Sequence, residues 1–227
     1  MPMYTNIHMP ETSSLSGSLF HQLRADILQG RLQPGEKLTE QRICQEYVVS
    51  RTPVREAFQK LEMDGLIETI PHRGAFVVGI TTRDLQDMYE LRKAYEAIAV
   101  RWAIERITPE EFSTLNEAYE FMEFYTMKNN IEKMLAINMQ FHQLIYNAAH
   151  NRMLLHALTN FQVYIKQTRS DRTYAHNSMD QVLSEHREIF QAFVDRDVSA
   201  GSQAMVRHLN NARQRAGFPQ EASLYPL

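Results

Sequence analysis

Between Ser50 and Val78 the chain reads Ser-Arg-Thr-Pro-Val-Arg-Glu-Ala-Phe-Gln-Lys-Leu-Glu-Met-Asp-Gly-Leu-Ile, then Glu-Thr-Ile-Pro-His-Arg-Gly-Ala-Phe-Val-Val. The first part is a short helix. Val54, Ala57, Phe58 and Leu61 share one face, Pro53 falls in the first turn where proline is tolerated, and Gly65 closes it. The second part is a hairpin, Ile67–Ile70 against Ala75–Val78 across Pro71-His72-Arg73-Gly74. A helix followed at once by a tight hairpin leaves few folds open. Upstream, Leu15, Leu19, Leu23, Ile27 and Leu28 fall at helical spacing up to Gly30, and Leu32–Gly35 makes a turn. A second helix begins at the N-cap Thr39 and carries Ile43 and Tyr47 inward, and Val48-Val49-Ser50 forms the next turn. Cys44 on that helix reads as a small buried hydrophobe. Helix, turn, helix and wing in this order predict a winged helix-turn-helix.

That prediction carries a partner, duplex DNA. In such a motif the last helix enters the major groove with its N-terminal residues at the base edges. Ser50, Arg51, Thr52 and Arg55 stand at that end, and Arg51 and Arg55, four apart, lie on one face. Arginine can bond O6 and N7 of guanine together, while serine and threonine hold phosphates and fix the register. His72 and Arg73 occupy the wing tip, where a wing meets the minor groove or its phosphates, and Gly74 allows the turn. Glu56 and Lys60 read as solvated. The whole chain has a net charge of −3, and residues 1–80 are not net basic either. DNA affinity must come from a few well-placed cations rather than from a polybasic surface.

After Gly79 the pattern becomes helical throughout. Thr81-Thr-Arg-Asp84 and Thr108-Pro-Glu-Glu111 each place a hydroxyl at a helix cap with a carboxylate three residues on. Helices are predicted over about 82–106, 109–127, 131–149, 152–170, 179–196 and 199–215. The fold class is mainly α: an N-terminal winged helix-turn-helix with a small β-hairpin wing, then an all-α bundle of about six helices. The expected organisation is a loose arm over 1–14, a DNA-binding domain over 15–80, a helical domain over 82–216 and a tail over 217–227. A single cysteine rules out an intramolecular disulfide framework. The N-terminus lacks a secretory signal, and no run of about 18 apolar residues is present, so a soluble, cytoplasmic chain without a membrane partner is expected.

Of the nine histidines, three look placed. Asn138 and His142 are four apart on the third bundle helix, beside its packing residues Met134, Ile137, Phe141, Leu144 and Ala148. His186 lies on the fifth helix and His208 on the sixth; imidazoles on separate helices can converge inside a bundle to hold a metal. Neutral imidazole suits zinc, nickel, copper or iron. Scattered histidines are equally the ordinary furniture of a helical protein, and His150, His156 and His176 read as structural or exposed.

Leu32-Gln-Pro-Gly-Glu-Lys-Leu, Ser50-Arg-Thr-Pro-Val-Arg-Glu-Ala, Leu61-Glu-Met-Asp-Gly-Leu-Ile and His72-Arg-Gly-Ala-Phe-Val closely resemble the GntR family of bacterial transcription regulators. The resemblance covers residues 15–80 and implies DNA reading by Arg51 and Arg55, supported by Ser50, Thr52 and His72. One position departs: where relatives often carry arginine after Ser-Glu, this chain has Gln41, with Arg42 next to it. More loosely, Phe141-His-Gln-Leu-Ile-Tyr-Asn-Ala-Ala-His-Asn151, Glu185-His186, Arg196-Asp197 and His208-Leu209 resemble the ligand-sensing (FCD) domain of the FadR-like branch. That resemblance implies a divalent transition metal, zinc or nickel, on Asn138, His142, His186 and His208, with a small organic acid at an open position. Asn138 stands where an acidic ligand is common. Arg92 matches a position that faces this cavity in relatives and is the candidate partner of an effector carboxylate, unless it serves only a surface salt bridge to Glu96. Arg169 is a second candidate on the same logic.

The leading expectation is therefore a homodimeric, ligand-responsive transcription regulator and not an enzyme. Two alternatives stay open on sequence grounds. One is metal-dependent hydrolysis, with Glu185 or Glu188 as base. The other is a metal-free helical domain that only dimerises.

Overall fold

The computed structural model describes residues 15–168 and 178–218. Its contacts divide the chain into one compact unit ending at Thr81 and a second beginning at Thr82. In the first, α1 (Leu15–Leu28), α2 (Glu40–Tyr47) and α3 (Arg51–Met63) accompany a sheet of β1 (Lys37–Leu38), β2 (Ile67–Ile70) and β3 (Gly74–Val77). The predicted two-stranded hairpin is thus the larger part of a three-stranded antiparallel sheet with strand order β1-β3-β2. Ile67 pairs with Val77 and Ile70 with Gly74, while Lys37 and Leu38 pair with Phe76 and Ala75.

The α3 helix forms as its spacing predicts, with Val54, Ala57 and Leu61 fully buried and Phe58 partly so. Burying each large aliphatic side chain is worth about 1.5–3 kcal/mol. The turn before it closes on Val48, which caps α2 at φ 54°, a left-handed conformation that costs a side-chain-bearing residue about 1–2 kcal/mol. Cys44 is only partly buried, so the expectation of a core position is corrected. Its turn of α2 sits at the edge of the packed face, where only Ile43 is fully enclosed. Tyr47 is half-buried, and its hydroxyl donates to the buried carboxylate of Asp26, which ties α2 to α1.

The second unit consists of α4 (Thr82–Arg106), α5 (Pro109–Met127), α6 (Ile131–Ala148), α7 (Arg152–Thr168), α8 (Ser178–Val194) and α9 (Val198–Arg215). The capping box at α5 forms: the Glu111 N–H donates to Thr108 Oγ1 at 3.2 Å, and the Thr108 N–H donates to the Glu111 carboxylate at 3.0 Å. Ala99, Val100, Leu115, Met122, Phe141, Tyr146, Ile189 and Leu209 are among the side chains that build its core. At Gly201 on α9, an added Cβ would come within 2.6 Å of Ile104 and 2.9 Å of Val100, so α4 and α9 cross in contact at a point where only hydrogen fits. Among the described residues no helix is long and apolar enough to cross a membrane.

Candidate functional site

In the first unit the recognition end of α3 is open. Ser50, Arg51, Thr52 and Arg55 are all exposed, and the Ser50 side chain makes no capping bond to its own helix, leaving its hydroxyl available. Arg55 is held by Glu40 of α2 at 2.7 Å, and that contact lowers the Glu40 carboxyl below its ordinary value. Arg51 makes no ion pair among the described residues, so of the two arginines it is the unencumbered one. Arg42, next to Gln41, is paired with Glu36 and Glu46 at 2.6 and 2.7 Å. At the wing, His72 and Arg73 are exposed, and His72 itself takes a left-handed turn (φ 61°), as Gly74 does (φ 100°). The guanidinium of Arg73 and the ammonium of Lys37 both lie against the Phe76 ring, at 5.7 and 6.0 Å. Lys37, a further cation beside the wing, is brought there by β1 pairing with β3.

In the second unit, α6, α8 and α9 bring His142, His186 and His208 together. All three are buried, and one nitrogen from each lies within 4.8 Å of the others. Their outward nitrogens are all occupied. His142 Nδ1 meets Glu96 Oε2 at 2.8 Å, His208 Nδ1 meets Glu185 Oε2 at 2.8 Å, and His186 Nδ1 meets the Val182 carbonyl at 2.7 Å. A carboxylate or carbonyl can only accept, so each Nδ1 carries the proton, and a neutral ring then presents a bare Nε2 lone pair. Two such lone pairs, on His142 and His186, face each other 3.3 Å apart. With no cation between them, whether a metal ion or a proton on one Nε2, that arrangement is repulsive. Two nitrogens on one tetrahedral zinc at about 2.0–2.1 Å stand about 3.3 Å apart, so the spacing is that of a ligand pair. Asn138, one helical turn from His142, is buried too, and its Oδ1 has no hydrogen-bond partner. An unpartnered amide oxygen on a residue that lines the same cavity as His142 and His208 fits a metal ligand.

The carboxylates behind the histidines are themselves clamped. Arg92 holds Glu96 at 2.6–2.7 Å with both side chains buried, and Arg215 forks onto Glu185 with two contacts of 2.7 Å. Burial opposes the Glu96 charge, but Arg92 and His142 outweigh it and hold the carboxyl down at about 2. Glu185 is likewise held at about 2, burial being overcome by Arg215 and His208. Two Arg–Glu–His relays thus orient two of the three rings, the outer support that metal-ligating histidines use. The proposed surface bridge between Arg92 and Glu96 is corrected to a buried one. The two readings of Arg92 were not exclusive, since it pairs with Glu96 and also lines the cavity. That cavity, of about 40 Å³, is bounded by Arg92, Asn138, His142, His208, Gln162 and Lys166 among others. Arg169 lies outside the described residues. His150 bonds Glu111 at the surface, His156 is exposed, and His176 lies outside the described residues. Glu96 and Arg215 were not assigned to the site from sequence, and Glu185 entered it only as a possible hydrolytic base. Only the Arg92–Glu96 spacing hinted at one of these contacts.

Neither carboxylate put forward as a hydrolytic base reaches the inward nitrogens. Glu185 is spent on His208 Nδ1, Asn211 and Arg215, and Glu188 pairs with Arg207 on the surface.

The buried rings also set a pH dependence. Burial, with His142 beside it, lowers His208 to about 4 despite the pull of Glu185, and burial next to His208 and His142 puts His186 well below its ordinary value. Both are lowered on folding, so the unfolded chain takes up protons first as pH falls. The stability tied to these rings is complete above about pH 6.5 and is lost as pH drops toward 4. Glu96 and Glu185 give up theirs only below about 4.5. Thermal unfolding of metal-free chain should shift downward between pH 6.5 and 4, with a shallower slope in His208→Asn; a flat Tm over that range contradicts the neutral-ring assignment.

A winged helix-turn-helix in one chain with an all-helical unit is the build of a transcription regulator. The chain belongs to the gntR family of bacterial regulatory proteins in its FadR-like, FCD-domain branch: the gntR model matches residues 15–77 and the FCD domain model residues 87–211. It is 29% identical over 194 residues to the HTH-type transcriptional regulator YdhC of Bacillus subtilis (strain 168), covering 85% of this chain and 86% of that one. It is 28% identical over 208 residues to the HTH-type transcriptional repressor RspR of Escherichia coli (strain K12), covering 91% of each. The solved structure of E. coli McbR/YncC shares the fold, with a TM-score of 0.70 at 20% identity over 91% of this chain and 98% of that one. These families and relatives are transcription regulators, not enzymes.

Proposed function

We propose that this regulator binds operator DNA through Arg51 and Arg55, with Ser50, Thr52, His72 and Arg73 on the flanking backbone, and that a small organic acid at a metal site in its helical domain tunes that binding. The observation that supports the second half is the cluster of three buried histidines, whose Nδ1 atoms are all engaged, at a cavity that Asn138, with an unpartnered amide oxygen, also lines. His142, His186 and His208 would hold a zinc or nickel ion with Asn138 as fourth ligand, and the ion would supply a Lewis-acidic position for a carboxylate. Glu96 and Glu185 keep the His142 and His208 rings in register by accepting hydrogen bonds from their Nδ1–H groups. Arg92 would share its guanidinium between Glu96 and the acid.

The chain acts as a homodimer on two half-sites in this reading, since a two-fold protein matches a pseudo-palindromic operator. An acid that binds one DNA-affinity state better than the other shifts the population toward it, and DNA changes acid affinity by the same factor. The test is metal content per chain of the untagged protein, before and after stripping and reloading with zinc or nickel. It is paired with affinity for an operator selected from random duplexes. Near-stoichiometric uptake and an acid-dependent change in operator affinity are expected; a chain that takes up neither metal removes the site reading.

A further inference from the structure

The charges around the cluster indicate what kind of acid it takes. Arg92 is answered by Glu96 and Arg215 by Glu185, so the four nearest full charges cancel two by two. As metal ligands the four candidates would add no charge: three imidazoles, whose Nδ1 atoms face acceptors, and the Asn138 amide. Among the described residues, no carboxylate in the cavity wall is left to offset the two positive charges of a divalent ion. One further cation is present. Lys166, in the last turn of α7, lines the same cavity as Asn138, His142 and His208, is exposed, and makes no ion pair among the described residues. Gln162, one turn earlier, donates to the Met139 carbonyl at 3.2 Å and fixes that stretch of α7 against α6, with Lys166 at the rim. The enclosed space, about 40 Å³, is room for about three waters, hence for one carboxylate beside the ion and not for a whole acid. The remainder of any acid must extend toward the rim.

We propose that the acid is a dicarboxylate, one carboxylate on the ion beside His142 and His208 and the other on the Lys166 ammonium, with Asn138 and Lys166 together selecting two negative charges over one. This rests on the metal-and-acid reading above. Asn138 contributes by adding no charge of its own, so the ligand must bring it. Lys166 contributes by standing where only the longer, doubly charged ligand reaches.

The test uses the zinc-loaded full chain and calorimetric titration with malonate, succinate and glutarate, each against the monocarboxylate of equal carbon count. At least one dicarboxylate should bind tenfold or more tightly than its partner. Lys166→Gln should bring that ratio within threefold while zinc content is unchanged; the side chain is exposed, so folding is not at issue. Asn138→Asp should tighten zinc, read by competition with a chromophoric chelator, and weaken the dicarboxylate at least fivefold more than the monocarboxylate. Equal binding within every pair, or a full preference retained in Lys166→Gln, overturns the inference while the metal site stands. A chain that takes up no zinc overturns the metal-site reading and the inference with it.

Discussion

His186→Ala should lose zinc affinity by at least a hundredfold and, with it, every response of operator binding to added acid, while affinity for DNA stays at the metal-free level. The ring is fully buried, its Nδ1 is fixed on the Val182 carbonyl, and its Nε2 stands 3.3 Å from that of His142. Removing it takes away one of at most four ligands, and no other histidine, cysteine or acid among the described residues completes such a group. Altering only the support behind a ligand costs about 10–100-fold in metal affinity, so Glu96→Gln should show that smaller loss. Chelator competition and circular dichroism on the same samples separate a missing ligand from a damaged bundle. Stoichiometric zinc in a folded His186→Ala chain would show that the cluster is a packing device.

The second large effect belongs to the other unit. Arg51→Ala should cost about 1–3 kcal/mol of operator affinity and relax the preference at one base pair. Arg55→Ala should cost less, because Arg55 must first leave Glu40, and that bond is regained when the protein is free. Arg73→Ala should weaken all duplexes about equally and reduce the salt dependence, as loss of a backbone contact does. Binding to a panel of single-substituted operators at two salt concentrations distinguishes the three. An Arg51→Ala protein with unchanged affinity and an unchanged preference profile would mean that another face of α3 reads the bases.

How much of this was written in the sequence depends on the range of the interaction. Helical periodicity, the Thr108–Glu111 capping box and the hairpin are local, and each formed within one or two residues of its expected place. The strand Lys37–Leu38 is two residues long, too short for alternation to register, and it exists only because β3 offers it an edge. Asn138 and His142 were visible as a pair through their spacing, but nothing in the sequence pattern brings α8 and α9 to them; that link came from family resemblance. Glu96 and Glu185 were missed as partners for the same reason. A carboxylate 46 positions from the histidine it orients leaves no local trace, and Arg92 alone had two plausible uses that only burial could reconcile.

The bare α-carbon of Gly201 takes on a different meaning beside the histidines. It lies two helical turns before His208 on α9, and the Val100 and Ile104 side chains it admits lie one and two turns beyond Glu96 on α4. The helix that carries the His208 ring and the helix that carries the carboxylate behind His142 are therefore gauged at a shared fulcrum. A methyl group there would act as a shim. It would pry the two helices apart at the crossing and carry the error, along two rigid levers, into the spacing of nitrogens it never touches.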